Sequence, residues 1–207
     1  MKTLIRGRGR LDCGTARADA RVGWLGGLAA AAVLFWAQGA FALSGVQVSA
    51  NAGAGNFARD FSSNTGAGAA YGATVAVQPY DLIGVELAYD GLTAGNNSPL
   101  AVDSRFVANG VKGALKLNLA PGAIEPYLLG GAGYYRLGST GTAPGFGTAN
   151  AFAVPLAAGV NAHISDTWLI GARFTYDLMF HTQDLRPGNP TNADLYTAMI
   201  HLGAIIR

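Results

Sequence analysis

The 207-residue chain carries 14 Lys and Arg against 12 Asp and Glu, yet six of the basic residues and only two of the acids precede residue 43. Beyond that point eight basic and ten acidic residues remain, a formal charge of −2 that removes the electrostatic basis for nucleic-acid binding. These charges make up about 11% of the later chain against roughly 25% in soluble domains, so an ordinary water-facing surface is not expected; 30 glycines without a three-residue period exclude collagen, and 50% apolar content excludes disorder.

The first element is a targeting segment. Behind an Arg-rich leader, Trp24 to Ala37 is an uncharged run of 14 residues, followed by Gln38, Gly39 and Ala40-Phe41-Ala42. A bilayer-spanning helix needs about 20 residues, so the run reads as a signal-peptide core and Ala-x-Ala as its cleavage site after Ala42. The expected division is 1–42 signal peptide and 43–207 mature domain, with Leu43 as the mature N-terminus. Cys13 is the single cysteine and lies in the leader, so the mature chain has no thiol for a disulfide or a nucleophile.

From Gly45 onward the apolar residues recur with a period of two, the signature of strands. The first segment alternates Val46, Val48, Ala50, Ala52 and Ala54 with polar or small neighbours, and the second does so with Tyr71, Ala73, Val75 and Val77. In the third, Ile83, Val85, Leu87 and Tyr89 oppose Glu86 and Asp90; in the fourth, Val111, Leu115, Leu117 and Leu119 oppose Lys112, Lys116 and Asn118. The fifth sets Tyr127, Leu129, Tyr135 and Leu137 against Gly130, Ala132 and Arg136. The sixth sets Phe152, Val154, Leu156, Val160 and Ile164 against Asn161 and His163. In the seventh, Trp168, Ile170, Phe174, Tyr176 and Leu178 oppose Gly171, Arg173, Thr175 and Asp177, and in the eighth Tyr196, Ile200, Leu202 and Ile206 oppose Thr197, His201 and Gly203.

The connections alternate between tight turns (Pro79 to Asp81, Ala120 to Ala123, Ser165 to Thr167) and longer polar stretches (Ala58 to Thr65, Gly91 to Ser104, Gly138 to Asn150, Phe180 to Asn192). That is the pattern of an all-β, eight-stranded antiparallel up-and-down meander. A soluble barrel would carry dense Lys and Glu on its polar face. Here that face is mostly Gly, Ala, Ser, Thr and Asn, which suits a narrow interior and leaves the aliphatic face for lipid. Tyr71, Tyr89, Tyr127, Trp168, Tyr176 and Tyr196 are then expected as a lipid-facing aromatic girdle, and Leu117, Leu129, Leu156, Ile170 and Ile200 as lipid-facing aliphatics. A transmembrane barrel removes unpaired sheet edges that lipid cannot hydrate.

The stretch Glu125-Pro126-Tyr127-Leu128-Leu129-Gly130-Gly131-Ala132-Gly133-Tyr134-Tyr135, placed after the turn that follows Lys116-Leu117-Asn118-Leu119, resembles the fifth strand of small outer-membrane β-barrel proteins of the OmpA/OmpX-like superfamily. With the signal peptide and the eight segments, the resemblance covers residues 43–207. It implies a bacterial outer-membrane location, insertion by the barrel-assembly machinery and outer-membrane lipid as partner, with any surface ligand at the loops unidentified. Members commonly end in an aromatic residue, whereas this sequence ends Ile205-Ile206-Arg207; a peptidoglycan-binding domain is not expected, and a cell-wall tethering role is not expected to transfer.

Candidate chemistry is sparse. His163-Ile164-Ser165 resembles the His-x-Ser pair of outer-membrane lipid A deacylases, but Ser165 falls at a tight turn and is read as a turn serine. His163, His181 and His201 are too far apart in sequence for a ligand-spaced metal site, and His181, Asp184 and Asp194 read as solvated loop surface. Gly130-Gly131-Ala132-Gly133 reads as close strand packing and not as a nucleotide loop. No catalytic residue, metal or cofactor is expected. Glu86, Lys112, Lys116, Arg136, Arg173 and Asp177 share the inward parity with His201 and are expected to form an ion-paired network that fills the lumen. The expected function is a non-enzymatic envelope protein with a structural or surface-interaction role; the alternatives are an exported soluble lipocalin-like barrel and a lipid A-modifying enzyme.

Overall fold

The computed structural model describes residues 45–59, 62, 65–95, 104–140, 148–180 and 194–207; the predicted signal peptide, His181 and Asp184 lie outside them. Eight strands follow in order: β1 Val46–Phe57, β2 Gly68–Val77, β3 Ile83–Gly95, β4 Arg105–Asn118, β5 Ile124–Thr140, β6 Ala149–His163, β7 Trp168–Phe180 and β8 Leu195–Ile206. Each pairs antiparallel with its sequence neighbours, and β1 closes on β8 from Val46↔Ile206 to Phe57↔Leu195. All strand edges are thereby paired.

The three tight turns lie at one end, together with the start of β1 and the end of β8. In the first, Tyr80 and Ile83 exchange backbone bonds of 3.4 and 3.2 Å, and the Asn118 amide donates across to the Asp81 carbonyl at 3.1 Å. In the third, Ser165 Oγ accepts from the Thr167 and Trp168 amides at 3.3 and 3.0 Å. At the other end the strands run further than the alternation of the sequence suggests. β3 continues through Leu92 to Gly95 and β5 through Gly138 to Thr140, both inside stretches read as loops.

Parity follows the sequence reading on seven strands and is inverted on β5. Tyr127, Leu129, Tyr135 and Leu137 are buried inside the barrel, while Leu128, Tyr134 and Arg136 are exposed on its outside. The sequence alone is ambiguous here, because the doublets Leu128-Leu129 and Tyr134-Tyr135 make both parities of the strand apolar. The register decides. Leu129 pairs with Lys116 and Gly133 with Lys112, and cross-strand partners share a face, so β5 must turn its odd-numbered residues inward with those lysines. Three expectations are thereby corrected: Tyr127 belongs to the lumen and not to the girdle, Leu129 to the lumen and not to the lipid-facing aliphatics, and Arg136 to the outside and not to the lumen.

The glycine run of β5 is a place of close approach. A Cβ on Gly131 would lie 2.1 Å from the Gly113 carbonyl oxygen, and one on Gly133 would lie 2.9 Å from the Lys112 stem. The β5–β6 ladder is interrupted between Gly130↔Leu156 and Gly133↔Ala153, opposite Pro155, which has no N–H to give. Outside, the barrel exposes Leu87, Leu115, Leu128, Leu156, Ile170, Ile200 and Leu202 around its waist. Such a continuous apolar belt would aggregate in water and is stable only against hydrocarbon.

Candidate functional site

The interior has three levels, two of them filled and the third an open mouth. At the long-connection end, Phe57, Leu92, Phe106, Leu137, Leu195 and Met199 pack with a set of alanines into one apolar cluster; Leu92, Ala94 and Ala108 have no exposed area. Phe57 and Phe106 meet edge to face with ring centres 6.2 Å apart. Asp194 staples the rim above. Its carboxylate accepts from the Met179 amide at 3.1 Å and the Tyr176 hydroxyl at 2.9 Å, and Arg59 Nε lies 2.6 Å from it. Read from sequence as a solvated loop acid, Asp194 is in fact buried.

Below the apolar cluster lies a charged level in two groups. Lys112 contacts Asp90 directly and lies 3.5 Å from Asp177, whose other oxygen accepts from the Tyr135 hydroxyl at 3.2 Å. Nearer the tight turns, Arg173 grips Glu86 with both terminal nitrogens, at 2.5 and 2.7 Å, and its Nε donates to the Tyr127 hydroxyl at 2.9 Å. The forked guanidinium matches the carboxylate, which fixes its direction as well as its distance. Lys116 places its ammonium 4.7 Å from the Tyr127 ring centre. All six charged residues are buried, and with three acids (Glu86, Asp90, Asp177) against three bases (Lys112, Lys116, Arg173) the level is formally neutral.

Small residues make room for the tyrosines that complete this level. A Cβ on Gly110 would fall 2.5 Å from the Tyr135 ring, and one on Gly159 would fall 2.5 Å from the Tyr127 ring and hydroxyl. Flanking neutral pairs use the remaining lumen: Asn51 Nδ2 donates to Thr74 Oγ1 at 2.8 Å, and His201 Nε2 meets Asn161 Oδ1 at 2.8 Å.

The third level is a mouth at the tight-turn end, a cavity of about 620 Å³ whose walls include Gln47, Gln78, Lys116, Glu125 and His163. His163 Nε2 lies 3.2 Å from Glu125 Oε2, whereas the Ser165 hydroxyl oxygen is held by turn amides. His163 thus faces Glu125, and Ser165 closes its own turn, the role read for it from the sequence. Among the described residues no group of three or more His, Cys, Asp or Glu is placed to hold a metal ion.

Of the residues expected in the lumen network, the structure brings together Glu86 with Arg173 and Lys112 with Asp177, sets Lys116 beside Tyr127 and places Arg136 outside. Asp90 and the two tyrosines were missed as partners, although Asp90 already stood on the inward parity of its strand. Of the girdle, Tyr71, Tyr89, Trp168 and Tyr196 are exposed outside and Tyr176 half-buried, with Tyr134 in the place given to Tyr127.

A closed eight-stranded meander, an apolar belt outside and a packed polar lumen are thus on one chain, and the family model of the outer membrane protein beta-barrel domain matches residues 26–207. The chain belongs to that outer-membrane β-barrel family. Its place is the bacterial outer membrane, and the apolar belt is its lipid-facing surface. No curated protein sequence matches it.

Among solved structures, Neisserial surface protein A (NspA) is similar in fold, with a TM-score of 0.61 at 12% identity over 79% of this chain and 98% of that one. Ail, the attachment invasion locus protein of Yersinia pestis, gives 0.53 at 14% identity over 78% and 99%. The outer membrane protein OprG from Pseudomonas aeruginosa gives 0.50 at 14% identity over 78% and 96%. Ail has also been crystallised in complex with the heparin analogue sucrose octasulfate.

Proposed function

We propose that this protein is a non-enzymatic outer-membrane barrel with a structural or surface-interaction role, and that its lumen is closed. The observation that carries the reading is the stacking of two seals: an apolar cluster beneath the long connections and a neutral, ion-paired level below it. Water and ions crossing the barrel would have to displace packed side chains at the first and break hydrogen-bonded charges at the second. The chain reaches the membrane by cleavage of residues 1–42 and insertion through the barrel-assembly machinery, and its outer loops face the medium; that Ail, similar in fold, has been crystallised with a heparin analogue supports a surface-interaction role. A soluble lipocalin-like role is set aside because the belt is apolar and the upper interior is filled.

The test is planar-bilayer recording on the purified protein. Conductance near zero is the expected result; steady open-channel currents from the wild-type barrel would sink the closed-lumen reading. Unchanged lipid A on expression of the protein supports the non-enzymatic part, and deacylated product would overturn it.

A further inference from the structure

The displaced Arg136 sets a guanidinium on the outside of a membrane barrel, where an anionic head group would pair with it. Cross-strand register aligns two rows on that face. Tyr89, Val111, Tyr134 and Phe152 form one row, by the pairs Tyr89↔Val111, Val111↔Tyr134 and Tyr134↔Phe152. The next outward row towards the long connections is Asn109, Arg136 and Asn150, by Asn109↔Arg136 and Arg136↔Asn150. Arg105 stands further up β4, also exposed.

Depth follows from strand geometry. On β5 the outward positions run from Ile124 to Tyr134, ten residues that at about 3.4 Å each and a tilt of roughly 40° rise about 25 Å, the height of a barrel's apolar band. Arg136 is the next outward position beyond it, at head-group level. Long connections face the cell exterior in such barrels, so the level belongs to the outer leaflet.

The row offers donors. The Tyr71 and Tyr89 hydroxyls both donate to Asn109 Oδ1, at 3.0 and 2.8 Å, which occupies the acceptor of that amide and leaves its N–H₂ group as a donor for a ligand. Asn150 is exposed on the other side of Arg136. Among the described residues no carboxylate lies within ion-pair distance of Arg105 or Arg136.

We propose that Asn109, Arg136 and Asn150, with Arg105 above, bind the phosphorylated head group of an outer-leaflet lipid on the β4–β6 face. The guanidinium fork takes phosphate oxygens in paired bonds and the flanking amides extend the contact. A lipid is the occupant because the row adjoins Tyr134, Phe152 and Val111, against which acyl chains lie; a soluble anion would use only the polar half.

Native mass spectrometry of the purified barrel in micelles tests this, with a bisphosphorylated acylated disaccharide as probe and its dephosphorylated form as control. R136Q should weaken binding of the phosphorylated probe about tenfold, the scale of a lost charge-assisted bond, and R105Q should weaken it less. Wild-type protein should hold the dephosphorylated probe no better than R136Q holds the intact one, while R207Q, at the opposite end, should bind as wild type does. Heat-shifted gel mobility verifies folding; if R136Q does not fold, R105Q carries the test and must still lose affinity. Wild-type retention in the folded variants, equal binding of the dephosphorylated probe, or complete displacement by excess inorganic phosphate would overturn the proposal.

Discussion

The two seals of the lumen do the same mechanical work with opposite chemistry. Towards the cell exterior the interior is closed by Leu92, Phe106, Leu137 and Met199, whose cohesion is close packing; one level down it is closed by Glu86–Arg173 and Lys112–Asp90, whose cohesion is charge. Losing a side chain from the first leaves a void, and its cost scales with volume. Losing a partner from the second leaves a buried charge, and its cost is desolvation, although replacing both partners by apolar groups is often harmless. Each level should therefore fail in its own way.

The sharpest break is Glu86→Gln, which strands Arg173 beside Tyr127. Unfolding of the barrel in urea with detergent should show a loss of about 3–5 kcal/mol, and E86Q/R173M should recover more than half of it. If the double variant is no better than the single one, the level is not held by pairing. Conductance of E86Q should stay near zero, because the apolar seal above it is untouched. Adding Phe106→Ala to E86Q should open both and give measurable current.

Leu92→Ala tests the other seal. Loss of a side chain with no exposed area should cost about 2–5 kcal/mol in the same unfolding assay, with no rescue by any change in the charged level. Coupling of its effect to E86Q would mean that the two levels are one. Tyr127→Phe removes only the hydroxyl that accepts from Arg173 Nε and should cost about 1–3 kcal/mol, since the ring and its contacts with Lys116 and Arg173 remain.

How much of this the sequence disclosed depends on the strand. On β3, β4 and β7 a charged parity opposes an aliphatic one, so Glu86, Lys112 and Arg173 could be assigned inward without coordinates. The apolar seal was hidden because Leu92 and Ala94 continue the same inward parity into a stretch that Gly91 and Gly95 make look like a loop. Reading the alternation two steps further, past the glycine, would have exposed it. Pairing across the lumen was legible as far as inward parity carries it: β3 and β7 are not neighbours in the sheet, yet closing eight strands lets Glu86 reach Arg173 across the interior, whereas Arg136, grouped with them on the wrong parity of β5, falls outside.

The smallest expected effect concerns β5, where the two seals and the outer face share one strand and the doublets leave parity undetermined. With the register of β5 on β4, Leu128→Cys and Tyr134→Cys in residues 43–207, which hold no other thiol, should react with a lipid-soluble maleimide in vesicles. Leu129→Cys and Tyr135→Cys should stay protected from lipid-soluble and water-soluble reagents alike, because Leu129 and Tyr135 are buried in the filled lumen. The opposite pattern would invert the strand, carrying Tyr127 and Tyr135 away from Arg173 and Asp177 and returning Arg136 to the interior. A one-residue change of parity would thus remove the hydroxyl partners of the charged seal and the head-group site together, which makes four labelling reactions enough to decide both.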